Sequence, residues 1–354
     1  MRGNTFGQLF RLTSFGESHG PAIGGVIDGV PAGLALDLAQ VQVELDRRRP
    51  GSTPLGTARN ERDLVEWLSG IFEMPGQARH DSPTATGTPI GFLIRNADAR
   101  PQDYDALKEV YRPGHADRTW EQKFGLRDHR GGGRSSARTT ASGVVGGAIA
   151  RQLIASTGAK ISAYVDQVSN IVVNQPYNGL DLARVWLSDV RCPEPIAEQL
   201  MKNVIENVRA EGDSTGGAIT LVIEGLPAGL GEPVFDKLHA DLGKAMLSIN
   251  AAKGFEIGSG FKSITMRGSQ HNPLPSGIQG GISTGSDIVC RIAFKPTSTI
   301  AKQQRTVDKA GNEVLSKAAG RHDPCVVPRA VPIVEAMACM VLADHLLRQR
   351  TARI

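Results

Sequence analysis

From Gly131 to Ala148 the chain reads Gly-Gly-Gly-Arg-Ser-Ser-Ala-Arg-Thr-Thr-Ala-Ser-Gly-Val-Val-Gly-Gly-Ala, and this run constrains the fold more than any other. Three successive glycines let the backbone approach a ligand closely and leave amide N–H groups free. Ser135 or Ser136 can cap a helix through Ala141–Ala148. Small residues on both sides of that helix imply close helix packing at the centre of the protein. The helix start also suits an anion, because its free N–H groups and dipole point at the glycines. Arginine forks match carboxylate and phosphate oxygens two at a time, and Arg130, Arg134 and Arg138 bracket the run.

Two further turns carry histidines. Phe15-Gly16-Glu17-Ser18-His19-Gly20-Pro21 sets His19 between glycines, where an imidazole can move protons near neutral pH. In Tyr111-Arg112-Pro113-Gly114-His115-Ala116-Asp117, Pro-Gly forces a turn that presents His115 beside Arg112 and Asp117. A lone turn histidine is usually just solvated, so His115 matters only if it faces His19. Taken with the arginines, these segments predict a site for a multiply anionic small molecule.

Composition narrows the classes. The 354 residues, 40% hydrophobic and 21% charged, suffice for a sizeable core in one large domain or two smaller ones. With 41 Gly and 20 Pro, tight turns should be numerous, which favours a loop-built site on a compact body. Net charge is +4, and much of the excess is Arg inside Gly/Ser-rich segments, which fits an acidic ligand better than a nucleic-acid backbone. Neither Arg47-Arg48-Arg49 nor Arg127–Arg138 interleaves the aromatics that single-strand binders use for stacking. Cys192, Cys290, Cys325 and Cys339 have no zinc spacing, so a reduced, cytoplasmic protein without a metal site is expected. No signal-peptide run is present and Glu335 and Asp344 break the apolar C-terminal stretch, so neither secretion nor membrane spanning is expected.

Strands are expected at Leu9–Leu12, Gly24–Val30, Ile90–Ile94, Val165–Val173, Ile219–Ile223 and Ile288–Phe294. Asp37 should cap a helix that stops before Pro50 and delivers Arg47, Arg48 and Arg49 at its C-terminal end, most simply as a solvated face. Residues 73–89 should be loop. Further helices are expected at Asp103–Val110, Pro195–Arg209, Asp236–Ile249 and Pro332–Leu347. Strands and helices mix without a βαβ rhythm, so the class is α+β. The absence of a strand followed by Gly-x-Gly-x-x-Gly argues against a dinucleotide-binding unit.

Four stretches in order, Gly16–Gly20, Arg112–Asp117, Gly131–Arg138 and Arg321-His322-Asp323-Pro324-Cys325 through Glu335, resemble the chorismate synthase family over almost the whole chain. The resemblance implies one α+β domain over 1–354, a layered β-α-α-β sandwich with antiparallel sheets, assembled as a homotetramer. It implies an anti-1,4 elimination of phosphate from 5-enolpyruvylshikimate-3-phosphate, giving chorismate, with reduced FMN as cofactor and no net oxidation. His19 then resembles the histidine by the leaving phosphate, His115 the one near the flavin ring, and Asp323 the carboxylate near flavin N5 that relays the substrate proton. FMN contacts map to Arg134, Ser135, Ser136, Asn250, Ala251, Gly280, Lys295, Pro296, Thr297, Ser298, Thr299 and Arg321. Substrate or NADPH contacts map to Ser18, Arg48, Arg49 and Arg138.

Three departures from the family stand out. Pro54 occupies the place where many bacterial members carry an arginine, which removes a proposed NADPH contact. Residues 73–84 are longer than usual and read as a surface insertion, and His271–Ser276 is shortened in a stretch usually near the flavin. The competing readings are an FMN-dependent oxidoreductase acting on an anionic small molecule, and an anion- or RNA-binding protein. The latter leaves His19, His115 and Asp323 without a role.

Overall fold

The structure, a computed structural model, describes residues 3–56, 62–72, 83–97, 104, 107–274, 276–317 and 323–353. The first described hundred residues supply β1 (Thr5–Phe6), β2 (Arg11–Gly16), β3 (Ala22–Asp28), β4 (Val65–Trp67), β5 (Ile71–Phe72), β6 (Thr84–Ala85) and β7 (Ile90–Arg95). Five of them form an antiparallel sheet in the order β1-β2-β3-β7-β4, while β5 pairs with β6 apart from it. Helix α1 (Leu38–Arg48) starts where Asp37 accepts a hydrogen bond from the Gln40 amide, as the sequence predicts, and buries Val41 and Leu45.

Helices α2 (Asp117–Phe124) and α3 (Thr140–Ile154) precede the second sheet. Its strands are β8 (Lys160–Val168), β9 (Ile171–Val172), β10 (Gly217–Glu224) and β11 (Ala252–Ile257), with helices α4 (Pro195–Ala210), α5 (Leu238–Leu247) and α6 (Gly268–His271) in the connections. A hairpin, β12 (Ile278–Gln279) with β13 (Ile282–Ser283), leads to β14 (Ile288–Phe294), which completes the antiparallel order β11-β14-β10-β8-β9. The chain closes with the hairpin β15 (Gln304–Val307) and β16 (Glu313–Ser316), then α7 (Val327–Gln349).

Helix α3 lies on β2 and β3, α7 lies on β8 and β10, and the two helices pack on each other. The layers therefore run sheet, helix, helix, sheet, the α+β sandwich expected. The small residues of α3 explain how two helices fit between the sheets. A Cβ added to Gly147 would fall inside the Ala336 backbone of α7, and one added to Gly146 would stand 3.0 Å from Met340 Sδ. Ser142 Oγ donates to Gly24 O at 3.0 Å and tethers α3 to the first sheet. One apolar cluster runs from Phe10 to Ala343, and each fully buried aliphatic side chain in it contributes about 1.5–3 kcal/mol.

Several boundaries differ from expectation for identifiable reasons. The strand expected from Leu9, β2, begins at Arg11, because Asp344 Oδ1 accepts from the amides of Gln8, Leu9 and Phe10 and turns them away from the sheet. The Val165–Val173 segment splits at Ser169, which takes a positive φ of 51°. Ser136 does cap, but it caps a short 3-10 turn, Ala137–Thr139, that precedes α3. Helix α5 is shorter than Asp236–Ile249 at both ends. Helix α7 begins at Val327, five residues before Pro332, and contains that proline. By length and composition α7 could cross a membrane, yet Val327–His345, all but Arg329, are buried in the protein interior. The insertion at 73–84 falls largely outside the described residues, and of the helix expected at 103–110 the described residues, Tyr104 and 107–110, form no α-helix. Val110 makes an isolated bridge to Asp308.

Candidate active site

Gly131, Gly132 and Gly133 all take positive φ (66°, 89° and 54°), a conformation that only glycine adopts repeatedly without strain. The absence of side chains here has a second consequence. A Cβ on Gly131 would collide with the imidazole of His19, and one on Gly132 would stand 2.9 Å from His115 Cε1. The two histidines, almost a hundred residues apart in sequence, thus lie against consecutive glycines of one strip. His115 is not a lone solvated turn residue.

His19 occupies the middle of the turn Glu17–Gly20, closed by Gly20 N–H donating to Glu17 O at 3.1 Å. The turn docks on the strip through Ser18 N–H to Gly133 O, 3.4 Å. Ser18 is 1% exposed, and its hydroxyl lies 3.1 Å from His19 Nδ1, where it helps to orient the ring. The Tyr104 ring meets His19 edge-on, with centroids 5.0 Å apart.

His115 sits in a charged frame. Arg112 forks onto Asp117, Nε to Oδ2 and Nη2 to Oδ1, both at 2.8 Å. His115 Nδ1 is 2.8 Å from the same Oδ1. Nδ1 also lies 3.1 Å from Arg112 Nη2; with its hydrogen on the closer carboxylate, Nε2 is the nitrogen left for a ligand. Burial alone would raise the Asp117 pKa, but hydrogen bonds from Arg112 and His115, and their charges, hold it well below the usual carboxylate range. Behind this turn, Ser298 Oγ and Lys295 Nζ both donate to Gly114 O, at 2.7 and 3.1 Å, and bond each other. Burial, and then Lys253, lower the Lys295 pKa.

The other expected flavin contacts divide. Asn250 Nδ2 donates to Ser135 O at 3.0 Å, which brings the segment after α5 against the strip. The next residue, Ala251, adopts φ 69°, a strained conformation for a residue with a Cβ, and its carbonyl accepts from Lys295 N–H at 3.0 Å. Thr297 Oγ1 is buried without a hydrogen-bond partner among the described residues. Thr299 is buried, and Pro296 packs on Gly216. Ser135 Oγ donates to Gly132 O and Ser136 Oγ accepts from Arg138 N–H, so both hydroxyls shape the strip. Arg134 bonds Gly16 O, Ser14 O, Ser14 Oγ and Asn4 Oδ1, and burial lowers its pKa. It also lines, with Ser14, Trp120 and Asn250, a cavity of about 420 Å³, within the range of small-molecule sites. Gly280 stands elsewhere: it turns the β12–β13 hairpin, and its neighbour Gly281 packs on Lys237 at the start of α5. Asn250 follows the other end of that ten-residue helix, about 15 Å along its axis. Arg321 lies outside the described residues.

The arginines of α1 are not a solvated face. Arg48 is 2% exposed: its Nη1 bonds Asp63 Oδ2 at 3.1 Å, Nη2 bonds Ala137 O at 2.7 Å, and Nε bonds Thr140 Oγ1 at 3.2 Å. Arg138, 5% exposed, bonds the other oxygen of Asp63, which is itself fully buried. Burial lowers the Arg48 pKa, Asp63 opposes that, and Arg329 and Arg138 add to it. Both forks are committed to protein oxygens and are closed to solvent, so the expected direct contact of Arg48 and Arg138 with substrate does not fit this geometry. Arg47 stacks over Trp186 at 4.1 Å. Arg49 pairs loosely with Asp46 at 3.7 Å, and its Nε has no hydrogen-bond partner among the described residues. Asp323 bonds Arg329 of α7, whose Nε reaches Arg48 O at 3.5 Å.

Sequence reasoning missed Asp63, Asn96 and Arg329. None stands in a glycine turn or beside a histidine, so nothing local marks them. A groove of about 780 Å³ between α5, β11 and the segment up to Ile278 is lined by none of the expected site residues.

A family model described as chorismate synthase matches residues 10–347. The chorismate synthase of Christiangramia forsetii is 53% identical over 365 aligned residues, which cover 100% of both chains. That of Bacteroides thetaiotaomicron is 52% identical, covering 99% of each. A solved structure titled "Crystal Structure of Chorismate Synthase" superposes with a TM-score of 0.74 at 28% identity, over 97% of this chain and 92% of that one.

Proposed function

The chain belongs to the chorismate synthase family, and from that premise we propose that the strip Gly131–Gly133 and the two histidines against it are the centre where its reaction is run. The reaction is the elimination of phosphate from 5-enolpyruvylshikimate-3-phosphate to give chorismate, a carbon–oxygen lyase step of the shikimate pathway, in a family that uses reduced FMN. The observation that carries the assignment is the convergence of His19 and His115 on adjacent glycines.

His19 takes the side of the leaving phosphate, where a protonated imidazole offsets developing negative charge. Its Ser18 partner and the docked turn fix the ring. His115, with Nδ1 held on Asp117, would offer Nε2 to the flavin. Asp323 accepts the substrate proton, and Arg329 orients its carboxylate.

The residues between Asn250 and Thr299 fit reduced FMN. The Thr297 hydroxyl, buried and unpartnered among the described residues, joins the Lys295 ammonium, the Ser298 hydroxyl and the Asn250 amide in a donor set suited to a ribityl phosphate. Ala251, Pro296, Thr299, Arg134, Ser135 and Ser136 shape that site, and Arg321 is assigned to it on its sequence position. Bound there, reduced FMN would supply electron density that helps expel phosphate in a 1,4-elimination whose C–H bond, across the double bond from the phosphate-bearing carbon, is poorly acidic. Arg49, just beyond the end of α1, 31% exposed and only loosely paired with Asp46, is the arginine of the triplet best able to meet substrate.

Assembly as a homotetramer in the cytoplasm is what membership of the family implies, and Phe235, Leu187 and Ile264, 88%, 86% and 76% exposed, leave apolar surface for subunit contacts. Light scattering on a sizing column checks the assembly. Pro54 offers no charge to a ribose 2′-phosphate; its carbonyl accepts from Arg209 at 3.2 Å. The enzyme is therefore monofunctional, and FMN must reach it already reduced.

Anaerobic turnover with photoreduced FMN tests the reaction. Chorismate and phosphate should appear one to one, over many turnovers per equivalent of reduced FMN. Stoichiometric consumption of reductant would point instead to net redox chemistry. Rapid NADPH-dependent reduction of FMN by the purified protein would overturn monofunctionality. Asp323→Asn should keep flavin affinity and lose turnover; unchanged turnover would remove Asp323 from proton transfer.

A further inference from the structure

One side chain brackets the turn that carries His19. The Asn96 amide nitrogen donates to Glu17 O at 2.9 Å and to Gly20 O at 2.8 Å, the carbonyls on either side of Ser18-His19. Asn96 lies just beyond β7, and its own N–H bonds Pro21 O at 3.2 Å, so its backbone is pinned to the start of β3. Its side-chain oxygen accepts from Arg138 Nε at 3.0 Å. Arg138 also bonds Arg95 O at 3.3 Å and the buried carboxylate of Asp63.

These bonds allow a single amide orientation. Turned over, the amide would set its oxygen against two carbonyl oxygens and its hydrogens against a guanidinium. A chain therefore runs from Asp63 through Arg138 and Asn96 to both ends of the Glu17–Gly20 turn. The turn's second anchor is the bond from Ser18 N–H to Gly133 O. We infer that Asn96 is a positioning residue for His19, holding the turn so that the imidazole stays against Gly131, with Arg138 and Asp63 as its rigid support. The inference rests on the assignment of His19 to phosphate departure.

The test combines Asn96→Ala, Asn96→Asp, His19→Ala and the double variant His19→Ala/Asn96→Ala, in anaerobic turnover with photoreduced FMN. N96D keeps the shape and gives Arg138 a carboxylate while losing both donors to the turn, so it serves if N96A folds poorly. A small displacement of a catalytic group costs on the order of 10²-fold. Asn96→Ala and N96D should each lower kcat by about 10- to 100-fold, with FMN affinity unchanged. The double variant should be no slower than His19→Ala alone, because the displaced group is already absent. Fully multiplicative losses would mean that Asn96 supports the fold at large, and overturn the inference. Wild-type kcat in both Asn96 variants beside a slow His19→Ala would overturn it while leaving His19 in place. Wild-type kcat in His19→Ala would remove the His19 assignment and the inference with it.

Discussion

Replacing Asp63 by Asn perturbs the most charged point of the interior. The carboxylate is fully buried and serves two guanidinium groups, Arg48 at 2% and Arg138 at 5% exposure. The amide keeps the shape, but it removes the negative charge and turns an NH₂ donor toward one of two arginine donors. Breaking a buried ion pair from one side costs about 3–5 kcal/mol, because the remaining charge stays buried without compensation. For 354 residues the unfolding entropy is about 0.74 kcal/mol per kelvin, so the melting temperature should fall by about 4–7 °C. Thermal unfolding followed by far-UV circular dichroism at pH 7 reads this directly. Since the groups are shielded from solvent, the difference should persist in about 0.5 M salt, where a surface pair would be screened. A shift below about 1 °C would mean that water or another carboxylate reaches the arginines and that the triad does not hold the site in shape.

Gly131→Ala and Gly132→Ala should each cost about 1–2 kcal/mol through their positive φ, and should cut turnover far more than stability, since the added methyl displaces His19 or His115; equal small effects on both would argue against ring contact. Gly147→Ala should destabilise by about 1–3 kcal/mol or more in urea unfolding, because the methyl meets backbone of α7 rather than a yielding side chain; a neutral outcome would contradict the close crossing. Burial, with Glu44 adding and Arg151 opposing, pushes the Glu335 pKa up to about 7. A raised folded pKa means that its contribution to stability is present below the unfolded value of 4.5 and is lost as pH rises through about 7. Glu335→Gln should flatten that part of the melting-temperature profile between pH 5 and 8, and an unchanged slope would exclude Glu335 as its source.

What the sequence disclosed follows from how local each signal is. The Asp37 cap, the Ile288–Phe294 strand and the small-residue helix are written in neighbouring residues, and they stand as expected. Helix α7 was legible from Pro332 onward only, because a proline marks a helix start when its surroundings are unknown; here it lies inside a buried helix whose packing supports the missing bond. The Arg47–Arg49 triplet has the pattern of a solvated helix end, and nothing nearby shows that Asp63 and Ala137 receive Arg48. The two histidine turns were each visible, but their meeting depends on Gly131 and Gly132 lying between them. Asn96 acts through backbone carbonyls, which have no sequence signature.

The central claim is that His19 and His115 form one reaction centre on the glycine strip. Anaerobic turnover of His19→Ala and His115→Ala with photoreduced FMN and 5-enolpyruvylshikimate-3-phosphate, measuring chorismate and phosphate together, tests it most directly. Each variant should fold like the parent and turn over about 10²–10⁴-fold more slowly, the range of a lost general acid or base. Wild-type turnover in either one would contradict the claim.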